Sequence, residues 1–221
     1  MLNIVKNTTF PNLLDLIAPH SCRGCGRLGS PLCNDCKNYI ISKSTRLRPN
    51  YKTKFKSLPP VYIVGERSEL LDTLIQDYKY NSVRALGPKL AELLDAKLPK
   101  DINQAIIVPL PTATHHIRAR GLDHTRAIAK HLAKLRSYEV KNLLLRAQNT
   151  VQVGADRKSR IAQAEAAYTI NFRVKINPTA TYIILDDVWT TGASIRAAVK
   201  KLRQAGAKNI IIALLAMSSL H

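Results

Sequence analysis

Apolar and polar positions follow two rhythms along this chain, and the alternation between them sets out its elements. Short apolar runs occur at Val61-Tyr62-Ile63-Val64, between Pro59-Pro60 and Gly65, at 105–110, and within 180–187 and 209–217. Such runs, bounded by turn residues and rich in Ile and Val, predict strands buried on both faces. Between them the apolar spacing changes to three and four. Leu70, Leu71, Leu74 and Ile75 form one stripe within 66–78, and Leu86, Leu90, Leu93 and Leu94 another within 84–97. Both are helical faces. One long amphipathic helix is expected over 115–135 and a further helix over 193–204. Residues 140–145 form a candidate strand, and the polar segment 148–159 a loop. Strands that alternate with helices imply a parallel sheet, since parallel neighbours need crossover connections.

The N-terminal part is organised differently. Residues 8–18 suggest a short helix, 20–37 form a Cys- and Gly-rich knot, and 43–56 are polar and basic with no acidic residue. The chain therefore divides into a helix with a cysteine module (1–42), a basic linker or arm (43–58) and a main α/β domain (59–221). No apolar run reaches the ~18–20 residues of a membrane span. The patch Leu13-Leu14-Asp15-Leu16-Ile17 is interrupted by Asp15, and no small-residue cleavage site follows it. The cytoplasm is the expected compartment.

Charge adds a partner class. The chain has 34 Lys and Arg against 15 Asp and Glu, a formal net charge of +19 in 221 residues. A field of that sign favours polyanions.

All four cysteines fall in one short segment, as Cys22-x-x-Cys25 and Cys33-x-x-Cys36. Each pair can place two thiolates on one metal ion, and two pairs complete a tetrahedral set. Zinc is the metal this spacing favours, over an iron–sulfur centre or a redox pair. With no open coordination position its role would be structural. Gly24-x-Gly26-x-x-Gly29 imitates a dinucleotide fingerprint, but it lies in the cysteine knot and not between a strand and a helix.

The richest chemistry lies in Ile183-Ile184-Leu185-Asp186-Asp187-Val188-Trp189-Thr190-Thr191-Gly192-Ala193-Ser194. An apolar strand ends in two acids, and a Thr/Gly turn then opens a helix. Ligands of open parallel sheets bind beyond the carboxyl ends of the strands. Asp186 and Asp187 can accept hydrogen bonds from the two hydroxyls of a ribose diol. Gly192 allows close backbone approach, Thr190, Thr191 and Ser194 supply hydroxyls, and the helix from Ala193 directs free N–H groups at a phosphate. A Walker P-loop is absent.

Residues 183–195 resemble the 5-phosphoribosyl-1-pyrophosphate (PRPP) signature of the type I phosphoribosyltransferases, with Trp189 bulkier than the usual occupant and Ser194 where Thr is common. Val108-Pro109-Leu110-Pro111-Thr112 looks like the pyrophosphate loop of that family. The order of cysteine knuckles, Val-Pro-Leu-Pro, Arg118-x-Arg120-Gly121-Leu122-Asp123 and PRPP motif is similar to the ComF family, from about residue 13 onward. The Lys79-Tyr80 step falls in its expected place.

The resemblance implies a type I phosphoribosyltransferase-like parallel sheet flanked by helices, with a small N-terminal four-cysteine zinc finger. It implies PRPP with Mg²⁺ as ligand: ribose and 5-phosphate at 186–187 and 190–194, pyrophosphate at Pro109, Leu110, Pro111, Thr112, Arg118 and Arg120. A flexible cover would carry Arg157, Lys158 and Arg160. It further implies a part in natural transformation, with incoming single-stranded DNA and with helicase or channel components of DNA uptake at the inner membrane as partners.

No segment has the character of a hood for an acceptor substrate; the cysteine module takes its place. Binding without turnover, phosphoribosyl transfer, PRPP pyrophosphohydrolysis and PRPP sensing all remain open. For nucleic acid, Lys52, Lys54 and Lys56 interleaved with Tyr51 and Phe55 combine cations with stacking rings. The helix with Arg126, Lys130 and Lys134 is the second candidate.

Overall fold

The computed structural model describes residues 19–43, 57–102, 104–146 and 167–218. The expected helix at 8–18, the basic arm beyond Lys43 and the polar loop at 148–159 lie outside the described residues.

The elements run α1 (Asn34–Lys43), β1 (Val61–Glu66), α2 (Glu69–Tyr80), α3 (Leu86–Asp95), β2 (Ala105–Pro109), α4 (Thr114–Arg120), α5 (His124–Arg136), β3 (Glu139–Val140), β4 (Leu144–Arg146), β5 (Tyr168–Ile170), β6 (Thr181–Trp189), α6 (Ala193–Gln204) and β7 (Asn209–Met217). The main sheet has the order β1-β7-β6-β2-β3, with every pair parallel. This is an α/β fold with helices on both faces.

Alternation along the strands explains the two layers. Ile183, Leu185, Ile211 and Ala213 point into one apolar cluster with α2, α3 and α5. Tyr182, Ile184, Ile210 and Ile212 point into the other, with α6 and the small β4–β5 sheet. Both faces are covered, so the central strands show no polar alternation. α6 presents Ile195, Ala198, Val199 and Leu202 to the sheet, which leaves Arg196, Lys200 and Arg203 exposed on its outer side.

Two expectations need correction. The long helix over 115–135 is two helices. Gly121 closes α4 with a left-handed φ of 67°, and the Asp123 side chain caps α5 by accepting from the Arg126 N–H. Glycine just past one helix and aspartate at the start of the next is a stop–start signal that outweighs continuous amphipathicity. The strand over 140–145 is likewise two pieces. β3 extends the main sheet beside β2, whereas β4 pairs antiparallel with β5 in a separate ribbon. β5 is too short for a periodicity to register, and its partner is distant in sequence.

The cysteine module does not hang free. Cys22, Leu32 and Ile40 join the same apolar cluster as α2 and α3. Arg23 Nε pairs with Asp77 of α2 at 2.5 Å, Lys37 Nζ with Glu92 of α3 at 2.9 Å, and Lys97 Nζ donates to the Ile41 carbonyl at 3.0 Å.

Candidate functional site: a thiolate centre and a cleft at the strand ends

The ligand atoms of Cys22, Cys25, Cys33 and Cys36 all lie within 4.8 Å of one another, and none forms a disulfide. The backbone prepares the cage: the Gly24 and Cys33 N–H groups donate to the Cys22 sulfur and the Cys36 N–H to the Cys33 sulfur. At Cys22, burial raises the pKa, but N–H donors from Cys33, Cys25 and Gly24 outweigh it and bring the thiol down to about 6. Cys36 is pushed up to about 12 by burial and by protons shared among the sulfurs. Gly24 is compulsory, since a Cβ there would lie 2.6 Å from the Cys36 sulfur. The donor set fits a four-coordinate metal such as zinc.

A cleft of about 230 Å³ opens at the carboxyl ends of β2 and β6. Leu110, Pro111, Thr112, Asp186, Asp187 and Ser194 line it among the residues singled out by sequence, together with Arg120. Pro109 is the last, buried residue of β2. Arg118 lies on α4 with an exposed side chain and does not line the cleft. The Leu110 N–H donates to the Leu185 carbonyl at 2.9 Å, which clips the loop after β2 to the end of β6. Thr112 donates to Asp123 at 3.2 Å, tying the same loop to the cap of α5.

The turn into α6 is set by one glycine. Gly192 has φ of 76°, and a Cβ there would sit 2.0 Å from the Trp189 ring. Trp189 is buried and closes over the turn, which accounts for its bulk. The Ala193 N–H meets the Thr191 hydroxyl at 3.4 Å. Thr190 and Thr191 are exposed at the mouth of the turn, Ser194 is exposed in the first turn of α6, and Ala193 is half-buried.

The two aspartates have different partners. The Asp187 N–H donates to Asp186 Oδ1 at 2.9 Å. Burial first, then the adjacent Asp187 carboxylate, raise the Asp186 pKa to about 8. Asp187 pairs instead with Lys79 Nζ at 2.5 Å, both side chains under one-fifth exposed.

The facing wall is cationic, and Arg146, His124 and Tyr168 in it were not evident in the sequence. Arg146 from β4 lines the cleft beside Lys79 and Arg120, with His116, His124 and Tyr168. Arg120 donates to the Tyr80 hydroxyl at 2.9 Å and lies over its ring at 4.5 Å. His115 and His116 are exposed. His124 is buried, and its Nδ1 has no hydrogen-bond partner among the described residues. Burial, then Arg120, hold its pKa below the usual range, which favours the neutral ring.

Arg157, Lys158 and Arg160, and the arm residues Tyr51, Lys52, Lys54, Phe55 and Lys56, lie outside the described residues. Among the described residues no helix is long and apolar enough to cross a membrane.

No family model matches the chain. It is similar to Competence protein F of Haemophilus influenzae, with 26% identity over 201 residues and 86% of each chain covered. That similarity, together with the four-cysteine cluster, supports the resemblance to the ComF family.

Proposed function

We propose that the chain binds PRPP in the cleft and acts in natural transformation, where it handles incoming single-stranded DNA. The observation that carries the first part is a juxtaposition: two aspartates at a strand end, a Gly192 turn into a helix, and a facing wall of Lys79, Arg120 and Arg146. An extended ligand with a diol at its centre and phosphates at both ends matches that order. The diol would donate to Asp186 and Asp187. The 5-phosphate would take the N–H groups and hydroxyls from Thr190 to Ser194, and the pyrophosphate the Leu110–Thr112 loop with Arg120. Asp187 can accept a ribose hydroxyl on the oxygen that Lys79 does not hold, and the Lys79 ammonium stays close to the ligand's phosphates. Magnesium, arriving with PRPP, would neutralise part of the pyrophosphate charge. Binding suffices for this reading; transfer or hydrolysis would need an acceptor or a water within the same cleft.

The second part draws on the name of the Haemophilus relative and on charge. Residues 167–218 hold seven basic side chains, and their only acids are Asp186 and Asp187 in the cleft. Arg196, Lys200 and Arg203 are exposed on α6, and Arg173, Lys175 and the 91% exposed Phe172 lie in the loop after β5. Cations beside an exposed ring suit single strands.

Titration calorimetry with Mg²⁺ and PRPP tests the first part. The wild type should bind, and Asp187→Ala should lose binding while its melting temperature stays near that of the wild type. A wild type that takes up no heat with PRPP overturns the assignment. For DNA, substituting Arg196, Lys200 and Arg203 together by Gln should lower the slope of log affinity against log salt by about 2, at roughly 0.7 per contact. An unchanged slope removes this face.

A further inference from the structure

One turn of helix ties the cysteine module to the cleft, and four consecutive side chains do it. Asp77 accepts from Arg23 Nε at 2.5 Å. Tyr78 is buried edge-on against the His124 ring, with centroids 5.0 Å apart at 82°. Lys79 pairs with Asp187. Tyr80 holds Arg120 by hydroxyl and ring. Lys79 lines the cleft, Tyr78 and Tyr80 hold His124 and Arg120 that line it, and Asp77 reaches the cysteine module.

We propose that Arg23 is a positioning residue: held in the first cysteine knuckle, it fixes the last turn of α2 through Asp77 and thereby sets Lys79, Tyr80 and His124 for the ligand. The inference rests on the PRPP reading for its ligand but not for its geometry. Arg23 lies between Cys22 and Cys25, so the metal cage fixes its backbone, and its N–H donates to the Pro31 carbonyl at 3.1 Å. Its guanidinium reaches Asp77 in a half-buried setting, with side chains 29% and 15% exposed. An ion pair there is far less screened than one at the surface. Asp77 is also where the helix ends. Its second oxygen accepts from the Asn81 amide at 2.7 Å, and its carbonyl accepts from the Asn81 and Val83 N–H groups. Loss of the Arg23 contact would free the residue around which the C-terminus of α2 is folded, two positions from Lys79.

The molecule contains its own control. Lys37–Glu92 also joins module to domain, but it ends on α3, away from the last turn of α2. If Arg23 only helped to hold the module in place, breaking either pair would act alike on the cleft.

The test compares Arg23→Ala, Asp77→Asn and their double with Lys37→Ala, all in the full chain, with zinc content and melting temperature measured in parallel. Calorimetry with Mg²⁺ and PRPP should show about a 3- to 30-fold loss of affinity in each of the first two, the range of coupling carried between neighbouring networks. The double should be no weaker than the worse single, since one interaction is removed twice. Lys37→Ala should bind as the wild type does. A loss equal in Arg23→Ala and Lys37→Ala, or additive in the double, overturns the proposal.

A readout without PRPP separates this outcome from a failure of the PRPP reading. The His124 imidazole resonance, shifted by the Tyr78 ring, should move in Arg23→Ala and Asp77→Asn but not in Lys37→Ala. A resonance that stays put in all three variants sinks the positioning role whether or not PRPP binds.

Discussion

The metal centre and the cleft are built on opposite principles. The centre takes all four of its ligands from one segment, Cys22 to Cys36, and the spacing of those residues is itself the design. The cleft is half local and half assembled. Its acids and the Ser194 hydroxyl lie within one stretch, Asp186 to Ser194, whereas its cations come from α2, α4 and β4. A ligand set written in consecutive residues survives any account of the fold. A set that converges from separate elements exists only once the sheet and its helices have been placed.

The sharpest test of the local half is to break the centre. Cys36→Ser removes one ligand from a site whose metal would supply much of the folding free energy of its module, about 10–16 kcal/mol in isolated finger peptides. Because Cys22, Leu32 and Ile40 share an apolar cluster with α2 and α3, the damage should spread. Zinc content should fall from about one per chain towards zero, and the melting temperature of the whole protein should drop, not only that of the module. Metal analysis with calorimetric melting checks both. A variant that melts like the wild type would show that the module folds and docks without its metal.

What the sequence made legible follows the same division. The strands expected over 180–187 and 209–217 and the helix over 193–204 were evident because apolar runs and helical stripes are local patterns, although β6 runs two residues past the acids to Trp189. The aspartates and Gly192 were evident because their chemistry is consecutive. Arg146 was not, because β4 is three residues long and reaches the cleft only through its pairing with β5. His124 was not, because a histidine after a capping aspartate looks exposed until Tyr78 packs on it. The division of 115–135 was legible in principle: Gly121 and Asp123 state it, and the amphipathic stripe was given too much weight against them.

A smaller effect is expected where the local half of the cleft meets its packing. Gly192→Ala places a side chain at φ of 76° and within 2.0 Å of the Trp189 ring. Left-handed backbone and overpacking should together cost about 2–5 kcal/mol, read from denaturant midpoints. Adding Trp189→Leu should recover part of the loss, since it removes the ring and leaves only the backbone term. No recovery in the double variant would mean that the φ requirement, and not the packed ring, keeps glycine there.

A pH-dependent effect separates the two aspartates. Asp186 has a pKa raised from 3.8 to about 8 by burial and by Asp187, so between those values the folded protein holds a proton that the unfolded chain has lost. Stability from this group is therefore fully present below the usual carboxylate range and is lost as pH rises to about 8. Asp186→Asn cannot titrate. Its melting temperature should exceed that of the wild type by an amount that grows with pH and levels off above about 8, at roughly 2–4 °C for each kcal/mol in a chain of this size. PRPP affinity should respond in the opposite sense. Ribose hydroxyls donate best to an ionised carboxylate, so wild-type affinity should climb as pH approaches 8, beyond the rise that the ligand's own phosphates cause in both proteins. In Asp186→Asn only that shared rise should remain, with affinity lower by about tenfold at pH 8, the scale of one charge-assisted hydrogen bond. Equal pH slopes in the two proteins would mean that Asp186 is already ionised in the free cleft. The proton would then be shared differently, with the Lys79–Asp187 pair and not burial governing the acids.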